Sequence, residues 1–100
     1  MTNEMEKLIK ALEALEIPHT VEIDMFDCPQ VFYPARRGRI MDAICNDMSY
    51  GHDEGLLEIM GLLTPGEEEE DEVIGFLTAE DVLERILRHR REEVERIFED

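Results

Sequence analysis

Between Ser49 and Leu63 the chain reads SYGHDEGLLEIMGLL, and no other stretch constrains the fold so tightly. From Leu56 to Leu63, only Glu58 and Gly61 are not large apolar residues. A run this apolar must be enclosed by the rest of the protein, and periodicity alone does not separate a buried helix from a buried strand. Leu, Met and Glu are good helix formers, and only Ile59 is β-branched. Asp53 can serve as N-cap, with Glu54 in the first turn, where the helix dipole favours an acid. The expectation is a short, enclosed helix from about Glu54 to Leu62, ended by Thr64-Pro65-Gly66.

Ahead of this run, Ser49, Tyr50 and His52 gather around Gly51. Such a turn ordinarily uses its polar side chains to satisfy backbone groups. The sharper reading is a ligand corner, because loops carry function. It is not a nucleophile elbow, since Asp47 stands where that motif needs glycine.

The flanking elements read more simply. Asn3 caps a first helix from about Glu4 to Glu16, with Glu6 completing a capping box and Met5, Leu8, Ile9, Leu12 and Leu15 at helical spacing. Pro18 ends it. In His19–Phe26, Val21, Ile23 and Met25 alternate with Thr20, Glu22 and Asp24, the pattern of a half-buried strand. Gln30 to Tyr33 gives a second strand. Ile40 to Cys45 gives a third, with Ile40, Asp42 and Ile44 on one face and Met41, Ala43 and Cys45 on the other; a helix from Met41 competes for that piece. Val73 to Leu77 is an edge strand or a buried tether. Thr78 caps the last helix, whose stripe of Val82, Leu83, Ile86 and Leu87 breaks at His89-Arg90-Arg91 and resumes at Val94, Ile97 and Phe98. That helix is long and projects beyond its core, with an apolar end that suits another copy or a partner. The sum is one α+β domain over residues 1–100: a small antiparallel sheet of three to four strands packed with three helices. The expected core is Leu8, Leu12, Val21, Ile23, Ile44, Leu57, Met60, Leu83 and Ile86.

Charge is the outlier. The 100 residues carry 26 acids against 10 lysines and arginines, a formal net charge of −16. The first fifty residues hold nine acids and five bases, and the last fifty hold seventeen acids and five bases. Six consecutive acids, Glu67, Glu68, Glu69, Glu70, Asp71 and Glu72, repel one another and mark an exposed loop. Such a chain repels phosphate, so direct binding to nucleic acid or an anionic membrane is not expected; strongly basic protein surfaces are the natural partners. The plain competing reading is solubility. No apolar run approaches the ~20 residues of a membrane span. The acidic start MTNEMEK is not a signal peptide. Cys28 and Cys45 fit no metal spacing, so the expectation is a cytoplasmic protein with free thiols.

Catalytic motifs are absent from the sequence: there is no HExxH, P-loop, dinucleotide fingerprint or zinc-knuckle spacing. Asp24, Asp27, His52, Asp53 and Glu54 could converge on a metal or general base, and Cys45 could pair with His52. Nothing in their spacing requires either, so the reading is a binding protein without catalytic residues, metal or cofactor.

SYGHDEGLLEIMGLLT, then the acidic stretch and VIGFLTAEDVLERI, resembles small acidic proteins of bacterial phages and mobile elements. In size, charge and α+β pattern the chain is similar to DNA-mimic inhibitors such as anti-CRISPR proteins and restriction inhibitors. That resemblance implies an inhibitor that fills the basic channel of a nucleic-acid-binding host enzyme; charge alone points to Glu67–Glu72 as the partner-binding residues. The alternative is a small structural or regulatory interaction module, dimeric through the last helix. The resemblance carries over no catalytic residue.

Overall fold

The computed structural model describes residues 3–64 and 73–99. In chain order the elements are α1 (Glu4–Ala14), β1 (Thr20–Ile23), β2 (Pro29–Tyr33), β3 (Met41–Ile44), a 3-10 turn (His52–Glu54), β4 (Leu57–Gly61), β5 (Val73–Leu77) and α2 (Ala79–Phe98). The strands form one antiparallel sheet in the order β1-β2-β3-β4-β5. The class is α+β as expected, but with five strands and two helices among the described residues rather than three to four strands and three helices.

The difference lies in the central apolar run. Leu57 to Gly61 is a strand, not a helix, and only His52–Glu54 ahead of it turns as a single 3-10 turn. As the fourth of five strands, β4 has neighbours on both sides, and both of its faces are partly covered. Leu57 and Ile59 are fully buried in the core facing the helices, and Glu58 is buried on the opposite face. A strand covered on both faces reads as a continuous apolar run, and Leu and Met propensities cannot override that placement. Gly61 marks the strand's end. It has φ +94°, and a Cβ there would run into the Ile40 carbonyl oxygen across the β3–β4 pair, so only glycine fits.

The helices start as their caps predict. The Asn3 side chain accepts from the Glu6 amide at 2.9 Å. Thr78 and Asp81 form a reciprocal capping box, each side chain accepting at 3.1 Å from the other residue's amide. α1 stops at Ala14, two residues short of the expected end, with Glu16 left-handed and the Ile17 amide donating back to the Leu12 carbonyl at 2.9 Å. Glu4 joins the two helices. One carboxylate oxygen accepts from the Ala79 amide at 2.8 Å, at the N-terminus of α2, and the other accepts from Lys7 at 2.9 Å.

One core lies between the helices and one sheet face: Met5, Leu8 and Leu12 of α1, Val82 and Ile86 of α2, and Val31, Tyr33, Met41, Ala43, Leu57, Ile59 and Leu77 of the sheet. Leu8, Leu12, Leu57 and Ile86 are buried as expected, and Leu83 packs half-buried against them. Val21 and Ile23 are not core: they are 41% and 62% exposed. Val21 pairs with the fully buried Val31 and shares its sheet face, so the alternation was correct. β1 is an edge strand, and its inward face is left uncovered. Ile44 is half-buried and Met60 exposed, both on the outer face. On that face Arg39 lies 3.1 Å from Asp42 and 5.6 Å above the Phe32 ring. Burial pushes the Asp42 carboxyl up, against the opposing pull of Arg39 and Gln30.

Candidate interaction surface

The loop from β3 to β4 is held by a closed set of hydrogen bonds. The Ser49 hydroxyl donates to the Asn46 carbonyl and accepts from the Asn46 amide, both at 2.8 Å. Asn46 Oδ1 accepts from the Met48 amide at 2.9 Å, and its Nδ2 donates to Asp24 at 3.0 Å. The other Asp24 oxygen accepts from the amides of Phe26 at 2.8 Å and Cys28 at 3.1 Å. Asp24 therefore ties the β1–β2 hairpin to the β3–β4 loop. Burial is the largest single influence on its carboxyl and acts upward, but the Asn46, Cys28 and Phe26 donors together hold it below its ordinary value.

Of the three corner residues, Ser49 is buried and wholly engaged in this turn, which removes it as a nucleophile or ligand. Tyr50 is fixed through its backbone: its amide donates to Glu58 at 3.1 Å and its carbonyl accepts from the Phe76 amide at 3.3 Å, while the ring is exposed. His52 places Nε2 3.3 Å from Asp47 and Nδ1 3.5 Å from Asp53. Tyr50 and His52 line an open depression of about 300 Å³ together with Asp47, Asp53, Glu54 and Phe76.

Several carboxylates gather at this end of the sheet. Four carboxylates on other parts of the surface meet cations, Glu4 with Lys7, Glu22 with Arg36, Asp42 with Arg39 and Glu93 with Arg96, while others such as Glu13 and Glu16 make no such pair among the described residues. Asp24, Asp27, Asp47, Asp53 and Glu54 have no lysine or arginine ion pair among the described residues, and His52 alone stands between Asp47 and Asp53. The cluster acts on its surroundings. Partial burial, then Asp24, Asp47 and Asp27 in turn, push the Cys28 thiol up.

No family model matches the chain, and neither the curated proteins nor the solved structures contain a match.

The remaining sequence candidates fall as follows. Glu67, Glu68, Glu69, Glu70, Asp71 and Glu72 lie outside the described residues. Among the described residues no three His, Cys, Asp or Glu side chains are placed to hold a metal ion. Burial and the neighbouring Cys28 push the Cys45 thiol up, away from the thiolate that a nucleophile requires. No described helix is long and apolar enough to cross a membrane. Asn46 had no role in the sequence reading, and Asp47 figured only as the residue that excludes a nucleophile elbow. Their signal was the turn Asn-Asp-Met-Ser directly after a strand, where Asn and Ser side chains bond backbone amides and carbonyls.

Proposed function

We propose that this chain acts by binding, as an acidic inhibitor that presents carboxylates where a nucleic-acid-binding enzyme expects phosphates. The carrying observation is the group Asp27, Asp47, Asp53 and Glu54: exposed carboxylates gathered at one end of a folded sheet, around loops that Asp24 ties together, and without a lysine or arginine pair among the described residues. The Asp24–Asn46–Ser49 bonds support the reading because they hold the two loops together. Carboxylates fixed on a framework can meet several arginines at once without the ordering cost of a free segment. A single exposed pair is worth only about 0–1 kcal/mol, so affinity needs an array, and the gain lies largely in association rate and partner choice. The acidic run Glu67–Glu72 adds a second array by its charge alone.

The test is charge reversal at exposed positions outside the loop network. Asp47→Lys, Asp53→Lys and Glu54→Lys form one variant, and Glu67→Lys through Glu70→Lys form another. Folding is checked by circular dichroism, and inhibition of a DNA- or RNA-directed nuclease is measured with salt and with competing duplex. The reading expects inhibition that falls steeply with salt, competes with duplex and weakens in the first variant. If both folded variants inhibit as well as the parent, the acidity serves solvation and the reading is wrong.

A further inference from the structure

Beyond His89, which meets Tyr33, no described residue of α2 is buried in the fold. The helix's buried residues are Ala79, Val82 and Ile86, and every residue from Arg90 to Glu99 is exposed. Val94, Ile97 and Phe98 are 53%, 75% and 84% exposed. A lone helical stretch this short is marginal in water, because its hydrogen bonds barely offset the cost of ordering it. An apolar stripe on such a stretch is a surface that lacks its cover.

The charges along the stretch say what covers it. Residues 88 to 95 read Arg-His-Arg-Arg-Glu-Glu-Val-Glu. Read backwards, this segment is complementary to itself: Arg88 falls opposite Glu95, Arg90 opposite Glu93 and Arg91 opposite Glu92. A two-fold axis that sets two antiparallel copies side by side produces that alignment. Leu87, Arg91, Val94 and Phe98 follow the four-three-four spacing of a helix–helix seam, and Arg88 and Glu95 flank it. The same antiparallel arrangement brings Leu87 toward Phe98 of the second copy. A parallel pairing would set arginine against arginine.

We infer that α2 is a self-association surface: two copies of this chain pair antiparallel through Leu87–Phe98, with Arg88 of each facing Glu95 of the other. The interface is isologous, so the assembly closes at two. Neither Arg88 nor Glu95 makes an ion pair among the described residues, and they are two turns apart on one helix, so a monomer gives them no reason to couple.

The experiment is sedimentation equilibrium of the full chain from micromolar to millimolar concentration. The parent should rise from 11.7 kDa toward twice that mass. Arg88→Glu alone and Glu95→Arg alone should each weaken the dimer about tenfold, and the double exchange should restore it, because the swapped charges meet again across the axis. Val94→Glu should abolish it. All three positions are exposed, so circular dichroism should show the fold intact. A parent that stays at 11.7 kDa throughout, or single reversals that leave dimerisation unchanged, or a double exchange that fails to restore it, each overturns the inference.

Discussion

The Tyr33 hydroxyl and Nδ1 of His89 lie 2.9 Å apart, across 56 positions of sequence, with the rings edge to face at 87°. The other ring nitrogen, Nε2, faces Glu93 at 3.8 Å, so the imidazole bridges the sheet and the next turn of the helix. Tyr33 ends β2 and is buried, and His89 is the last residue of α2 before the wholly exposed stretch. This contact sets where the helix leaves the fold. Tyr33→Phe keeps the ring and removes the hydroxyl. It should cost about 0.5–1.5 kcal/mol in urea unfolding, with folding otherwise intact. No change in the midpoint would show that the bond does not anchor the helix.

Glu4 gives a pH dependence with a definite sign. The Ala79 amide, then Lys7, hold its carboxyl below the ordinary 4.5. An acid with a lowered folded value stabilises the fold fully above its unfolded value, and that stability is lost as pH falls through the folded value. Glu4→Gln should therefore be less stable than the parent at pH 7, and the difference should narrow as pH drops below about 4.5. Thermal melts of both proteins between pH 7 and pH 3 check this. A difference that stays constant across the range would contradict it.

Leu57→Ala should destabilise by about 2–5 kcal/mol, since Leu57 is fully buried in the middle of the core. Gly61→Ala adds one methyl group, yet it should also cost about 1–3 kcal/mol or more, because it combines a positive φ with a Cβ driven into the Ile40 carbonyl. Denaturant midpoints of the two variants measure both. An unperturbed Gly61→Ala would mean that β3 and β4 can separate freely at that point.

The loop residues should rank in an order that the sequence did not suggest. Ser49→Ala removes a buried hydroxyl that both donates and accepts, and should cost about 1–3 kcal/mol. His52→Ala breaks contacts to two exposed carboxylates and should cost less than about 1 kcal/mol. Melting curves of the two variants settle the order. If His52→Ala is the more damaging, the imidazole rather than the serine turn holds this loop.

Much of the architecture was legible, and the failures share a cause. α1, the first three strands and the Thr78 cap follow from local pattern and propensity with a plain terminator at each, although Phe32 and Asp42 are buried on the face away from the helices. β4 was misread because a strand covered on both sides loses its alternation. Gly61 was legible as a place where another backbone comes close, and that backbone is the Ile40 carbonyl of the neighbouring strand rather than a helix partner. Val21 and Ile23 were placed on the correct face but assigned to the core, since sequence does not say how far a helix layer extends over a sheet. The Ser49-Tyr50-His52 group was visible as a unit. Its division into a structural serine and an acid-flanked histidine was not, because the loop is fixed around that local turn by Asp24 on Asn46 and Glu58 on Tyr50, from two other segments.

Gly75 packs directly on Tyr50, close enough that any side chain would strike the tyrosine Cβ, and the Phe76 amide donates outward to the Tyr50 carbonyl at 3.3 Å. The β3–β4 loop thus lies against β5, the last strand of the sheet, and occupies a donor that an incoming strand would need. The opposite edge, β1, is only four residues long and carries a charged residue, Glu22, which pairs with Arg36. Both edges therefore resist strand addition, and the sheet is guarded against growth into fibrils even where Met60 and Phe76 show apolar surface.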